Sequence, residues 1–308
     1  MIVLDGPWQG WDPPPGPAAM TIGVLDGVHL GHRALLAEMD PSMVRTVLTF
    51  EPHPVEVLRP GIPRLLITTL EERIRLLDDV AVEVVGVLDL NEIREQAPEE
   101  FVTGILVDRF SAGQLVVGVD FRFGRDRAGD VDLLLRLGDR HGFTVTPVPI
   151  LDAGEHPVSS SRIRALIEEG RITEANRLLG SRFRVSATVV DGDKRGREIG
   201  FPTANLRPPS RKLIPGHGVY ACFAEVDGQR HDAAVNVGIR PTFGGGEVLI
   251  EAYLLDFEGD LYGEELTVEF VQYLRPELDF DSVDALVEQM GSDVSASRSI
   301  LESAGERL

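Results

Sequence analysis

Two histidines three residues apart, His29 and His32, stand in the segment TIGVLDGVHLGH at residues 21–32. A strand-like apolar run ends near Leu25, a glycine-bearing turn follows, and a helix pattern opens around His32 with Ala34, Leu35 and Leu36. On a first helical turn, side chains at that spacing share a face. Gly23, Gly27 and Gly31 remove side chains where backbone must come close to a ligand. A helix start adds N–H groups and the positive end of a dipole. Together with Asp26 these are the parts of a polyphosphate site. A plain strand-turn-helix corner with two incidental histidines has the same outline. A metal pair would need a third ligand, and no third ligand is obvious nearby.

Other segments carry weaker signals. Ser160, Ser161 and Arg164 place two hydroxyls at a helix start and a guanidinium one turn later, which suits a second phosphate clamp or an ordinary N-cap with a surface arginine. Asp120, in GVDFRFG, sits where a strand ends, as a ligand contact or a turn aspartate. His53 lies between Pro52 and Pro54 in a rigid loop. Further on, DGDKRGREIGFPTANL at residues 191–206 spaces Gly192, Gly196 and Gly200 around Lys194, Arg195 and Arg197. It lacks the G-K-[ST] of a Walker A loop and matches no dinucleotide fingerprint, so by itself it reads as a basic glycine-rich hairpin or a solvated turn. Thr203 and Asn205 follow a rigid proline and offer oxygen ligands suited to a hard cation such as Mg²⁺. Glu251 reads by periodicity as an outward-facing strand carboxylate.

The elements that must position these residues change character along the chain. Apolar runs at 20–25, 44–50, 80–88, 115–119 and 143–148 alternate with helix patterns at 70–77, 98–110 and 131–141. That predicts an α/β domain with a parallel sheet covered on both faces, and a ligand site at the carboxyl ends of its strands. A helix pattern over 161–179 is closed by Gly180 as C-cap. Short alternating segments follow at 183–190, 218–226, 233–237, 249–255 and 266–274, predicting an antiparallel sheet or small barrel, and then a last helix over 282–301. The boundary falls near Ser181, giving domains 1–181 and 182–308.

Composition narrows the function. A length of 308 residues suits two domains, and a net charge of −20 excludes a nucleic-acid surface while leaving nucleotides open as substrates. No apolar run reaches the length of a membrane span, and the first residues lack a basic region followed by an apolar core, so the expected location is the cytoplasm. The single cysteine, Cys222, builds no disulfide framework and reads as a small core residue.

The segment at 21–32 resembles the HxGH signature of nucleotidylyltransferases. More narrowly, it resembles prokaryotic bifunctional riboflavin kinase/FAD synthetases. TFEPHP at 49–54, VVGVDFRFGRDRAGD at 116–130 and PVSSSRIRALIEEG at 157–170 resemble the same family in order. So do GFPTANL at 200–206, GVYA at 218–221, NVGIRPTF at 236–243, IEAYLLDFEGDLYGEEL at 250–266 and FDSVDALVEQMGSD at 280–293. The resemblance covers nearly the whole chain. It implies a nucleotidylyltransferase-type domain followed by a Greek-key β-barrel kinase domain, with a terminal helix that helps close the flavin site. The implied ligands are riboflavin, FMN, FAD and ATP, with Mg²⁺, and homo-oligomers are within the family's range. It assigns His29 and His32 to the triphosphate and transition state. Gly23, Asp26, Gly31, Ser160, Ser161 and Arg164 go to ATP and phosphate, and Asp120 to the flavin. The kinase loop is Gly192, Lys194, Gly196 and Gly200, Thr203 and Asn205 take the metal, and Glu251 is the catalytic glutamate. Leu25 stands where the family usually has Phe, which predicts altered packing behind the loop with the chemistry kept.

Overall fold

The structure, a computed structural model, describes residues 1–12, 14–59, 61, 65–154, 156–192, 196, 199–240 and 247–305. It divides into two units, Met1–Ser160 and Ser161–Leu308.

In the first unit six strands lie parallel: β1 (Ile2–Leu4), β2 (Ala18–Ile22), β3 (Val44–Phe50), β4 (Val84–Leu88), β5 (Ala112–Gly118) and β6 (Thr144–Val148). Their order is β1-β4-β3-β2-β5-β6. A two-stranded hairpin, β7 (Asp152–Ala153) with β8 (His156–Pro157), follows. The near-continuous apolar runs reflect burial on both sheet faces, and every residue of β2 and β4 is buried. Successive side chains part to opposite faces. Met20, Ile22 and Leu115 enter one core with Phe101, Ile105 and Phe110; Ala19, Val47 and Val116 enter the other with Leu36 and Leu77. Helix Leu70–Asp79 starts with a capping box, in which Thr69 Oγ1 accepts from Glu72 N and Glu72 accepts from Thr69 N. The pattern that reads as one helix over 98–110 is an α-helical turn, Pro98–Phe101, running into a π-helical segment, Val102–Val107. The edge strand β1 carries no sequence signal, because three residues are too few to show a period.

The second unit is a closed antiparallel barrel of β9 (Phe183–Val190), β10 (Ala204–Arg207), β11 (Gly218–Val226), β12 (Gln229–Arg240), β13 (Glu247–Leu254) and β14 (Glu265–Arg275). Around the barrel they run β10-β13-β12-β11-β14-β9. Cys222 is a buried core residue, and burial raises its thiol pKa well above the ordinary value. A long helix, Val283–Gly305, packs on β11, β12 and β14, with Leu301 against Ala221 and Phe223. The single helix expected over 161–179 is two helices, Ser160–Glu168 and Ile172–Leu179. Gly170, at φ +74°, breaks it in a left-handed conformation that other residues rarely adopt. By contact both helices go with the barrel: Asn176 Nδ2 donates to Phe270 O at 2.8 Å, and Phe183 N donates to Asn176 Oδ1 at 2.8 Å.

Candidate active sites

The first site forms where β2 runs out. From β2 the chain steps to β3 and β4 on one side of the sheet, while β5 and β6 lie on the other. The carboxyl end of β2 is therefore a topological switch point, where open α/β sheets bind ligands. Gly23 N donates to Leu48 O at 3.0 Å, ending the strand. The chain then turns through Leu25 (φ 50°), Gly27 (φ 86°) and Val28 (φ 40°) into helix Leu30–Ala37. Two bulky residues at positive φ persist only where their surroundings hold them.

His29 is the N-cap of that helix, and its Nδ1 accepts from His32 N at 3.4 Å. An accepting Nδ1 leaves the neutral ring's proton on Nε2, which becomes a donor. The rings of His29 and His32 stack with centroids 3.6 Å apart and planes at 17°. His32 is held well below its ordinary pKa, first by burial, then by His29 and by Arg73. Its Nδ1 is buried and has no hydrogen-bond partner. The site thus presents two stacked imidazoles at a helix N-terminus, with His32 neutral near pH 7.

The flanking residues have distinct tasks. A Cβ on Gly31 would lie 3.1 Å from the His29 ring, and one on Gly23 would lie 3.0 Å from Leu25 Cδ1. Gly31 therefore makes room for the His29 ring, and Gly23 for the leucine. Leu25 is buried in the core with Val28 and Leu36. Asp26, at 1% exposure, turns its carboxylate inward to Ile67 N (3.1 Å), Thr68 N (2.8 Å) and Thr68 Oγ1 (2.9 Å). Ser160 Oγ donates to the Asp26 carbonyl at 3.1 Å. On that helix Ser161 is exposed and Arg164 buried. Asp120 is exposed in the turn after β5, beside the Gly118 backbone. His53 caps helix Pro54–Leu58, accepting from Val55 N at 3.1 Å.

The second site is a cavity of about 500 Å³ between the outer face of the barrel and the long helix. Strand register builds its polar end. Glu251 on β13 pairs with Asn205 on β10 and with Asn236 on β12. Directly opposed residues carry their side chains on one face. Along β13, Ile250, Ala252 and Leu254 are buried in the barrel, while Leu249, Glu251 and Tyr253 line the cavity. Thr203, Asn205 and Asn236 line it too. Gly192 and Gly196 come in beside them. A Cβ on Gly192 would fall 2.5 Å from Asn205 Cγ, so only glycine lets the backbone this close. Gly196 O accepts from Phe201 N at 2.8 Å, and Gly196 also lines the cavity. Gly200 is left-handed at φ 86°. Lys194, Arg195, Arg197 and the PTF of NVGIRPTF lie outside the described residues.

The opposite wall is apolar: Leu278, Phe280, Leu286, Met290 and Val294. Arg275, at the end of β14, holds it in place. Its Nε and Nη2 bond Asp293 of the long helix at 2.9 and 2.6 Å, and Gln289 donates to the same carboxylate. Asn236 Nδ2 donates to Glu277 Oε1 at 3.3 Å. The site thus joins a carboxylate, neutral oxygens and an apolar slot.

A family model described as FAD synthetase matches residues 13–162, and one described as riboflavin kinase matches residues 179–301. The bifunctional riboflavin kinase/FMN adenylyltransferase of Listeria monocytogenes is 37% identical over 289 residues, 91% of each chain. That of Pseudomonas fluorescens is 38% identical over 300 residues, 93% of this chain and 94% of the relative. The chain belongs to the bifunctional riboflavin kinase/FMN adenylyltransferase family. The crystal structure of a protein from Streptococcus pneumoniae, described as a macrolide-efflux protein, has a TM-score of 0.90 and 32% identity, over 97% of this chain and 99% of that one. Among the described residues here, no helix is long and apolar enough to cross a membrane.

The FAD synthetase match contains the histidine loop, and the riboflavin kinase match contains the barrel and its cavity. Several residues escape a reading of the sequence: Asn236, Arg275, Glu277 and Asp293 at the kinase cavity, and Thr49, Thr68 and Arg73 behind the histidine loop. Asn236 begins NVGIRPTF and Thr49 begins TFEPHP, so both lie inside recognisable motifs, but no periodicity marks them. Among the described residues no group of three His, Cys, Asp or Glu side chains could hold a metal ion. A cation at the kinase cavity would rest on Thr203 Oγ1, Asn205 Oδ1 and substrate phosphates. That donor set fits Mg²⁺, which keeps water and takes few protein ligands.

Proposed function

We propose that the barrel cavity phosphorylates riboflavin to FMN and that the histidine loop adenylylates FMN to FAD, with ATP as donor in both reactions. The activities divide near Ser181 in sequence. At the cavity, Glu251 takes the proton of the riboflavin 5′-hydroxyl, a group un-ionised at neutral pH. The oxygen attacks the γ-phosphorus of ATP, the bond to the β–γ bridging oxygen breaks, and ADP leaves. Thr203 and Asn205 hold Mg²⁺, which when bound neutralises the phosphate charge. Gly192, Gly196, Gly200 and Lys194 bring backbone and one cation to the phosphates. The apolar wall of Phe280, Leu286 and Met290 takes the flavin ring.

At the histidine loop the nucleophile is the FMN phosphate, already an anion, so no strong base is needed. Its oxygen attacks the α-phosphorus of ATP and pyrophosphate leaves. His29 and His32 donate hydrogen bonds to the phosphate oxygens as charge shifts among them. Gly23 and Gly31 contribute backbone, Ser160, Ser161 and Arg164 clamp a second phosphate, and Asp120 contacts the flavin. Asp26 acts through the turn it holds, since its carboxylate is engaged by Ile67 and Thr68. The cytoplasm is the proposed location.

The observation that carries this reading is the register that puts Glu251 beside Asn205 and Asn236 at a cavity also lined by Thr203. Separation of function tests it. Glu251→Ala should abolish FMN formation, on the order of 10²–10⁴-fold, and spare conversion of FMN to FAD. His29→Ala should do the reverse. Loss of both activities in either folded variant would overturn the two-site assignment.

A further inference from the structure

We propose that two buried threonine hydroxyls, Thr49 and Thr68, are the positioning residues that fix the histidine loop for adenylyl transfer. The inference rests on the reading of the first unit as the adenylyltransferase.

The loop needs an external hold, since Leu25 and Val28 both stand at positive φ. Two relays supply it. Thr49 Oγ1, at the end of β3, donates to Val24 O at 2.9 Å and accepts from Arg73 Nη1 at 2.9 Å. Thr68 Oγ1 donates to Asp26 Oδ1 at 2.9 Å and accepts from Gly27 N at 3.0 Å. Each hydroxyl therefore gives its single proton to the loop or its anchor and receives another. The tethered residues, Val24 on one side and Asp26 and Gly27 on the other, bracket Leu25.

Both relays lead back to one element. Thr68 immediately precedes the capping box of helix Leu70–Asp79, and Arg73 lies on that helix. Thr49 and Arg73 are at 0% exposure, so water cannot stand in for a missing hydroxyl. His29 caps its helix two residues beyond Gly27, and its ring position follows from where the loop delivers it. Loss of a relay would move the imidazoles relative to the phosphates. Displacements of about 1 Å cost on the order of a hundredfold in rate.

The test uses the full chain carrying Thr49→Val, Thr68→Val, Thr49→Ser or Thr68→Ser. Conversion of FMN to FAD and of riboflavin to FMN is measured on the same preparations, with thermal unfolding alongside. The valine variants keep the shape and lose the hydroxyl. They are expected to lose about tenfold to a hundredfold in kcat for FAD formation, with smaller changes in KM for FMN and ATP. The serine variants should keep most of that kcat, and riboflavin phosphorylation should be unchanged throughout. Wild-type kcat in the valine variants would overturn the proposal. So would serine variants as impaired as valine, a comparison that holds even if valine unfolds the unit. Wild-type protein that makes no FAD from FMN would instead sink the adenylyltransferase reading on which the proposal rests.

Discussion

A single methyl group at Gly192 reads out the geometry of the kinase site. A Cβ there would lie 2.5 Å from Asn205 Cγ and 2.8 Å from its Oδ1, whereas ordinary contact starts at 3.4 Å. Gly192 is not in the left-handed region, so the effect is one of space and not of backbone strain. Asn205 is only 7% exposed and cannot swing out to water. The amide must therefore give way by about 1 Å, and its open side is the cavity. With Asn205 as the proposed Mg²⁺ ligand, misplacing its amide by about 1 Å costs on the order of a hundredfold, or about 2.7 kcal/mol of barrier. Gly192→Ala is thus expected to lower kcat for riboflavin phosphorylation about a hundredfold and to leave FMN adenylylation unchanged, as read by chromatography of the flavin products. Because the effect acts through Asn205, adding Gly192→Ala to Asn205→Ala should cost little more. Wild-type kcat in Gly192→Ala, or full additivity in the double variant, would refute the reasoning.

Other outcomes follow from the same geometry. Asp293→Ala removes the two bonds that Arg275 makes to that carboxylate; the side chains keep 18% and 10% exposure, so the loss should be about 2 kcal/mol, below the range for a fully buried pair. It should appear as a lower unfolding temperature and, because Leu286 and Met290 share that wall, a raised KM for riboflavin. The depressed pKa of His32 makes it a group that the unfolded chain protonates first. Stability it contributes is present above its ordinary value of 6.5 and is lost as pH falls from there toward the folded pKa. His32→Asn should flatten that acid-side decline in denaturant-unfolding curves measured between about pH 6.5 and 5.

Much of the fold is legible in the sequence because burial leaves periodic marks. Strands buried on both faces read as continuous apolar runs, and the barrel strand β9 alternates. Glu251 shows where that logic stops. Periodicity marks it as outward-facing, and it is outward on the barrel; the outer face matters because the long helix roofs it. No local pattern reports a distant helix. β10 does not read as a strand, since four residues following a proline and containing Asn205 give no alternation. Asp26 looks like a ligand because it stands among glycines beside the histidines. Its partners, Ile67 and Thr68, are some forty residues away in sequence, so its inward turn is invisible there. The break at Gly170 hides for the opposite reason: the helical period resumes on the far side, and only the left-handed φ marks the gap.

The most direct measurement is the time course of flavin products when the purified chain is given riboflavin, ATP and Mg²⁺. FMN should appear first and FAD follow at its expense, with one pyrophosphate released per FAD. A protein that binds riboflavin yet forms neither product would contradict the account.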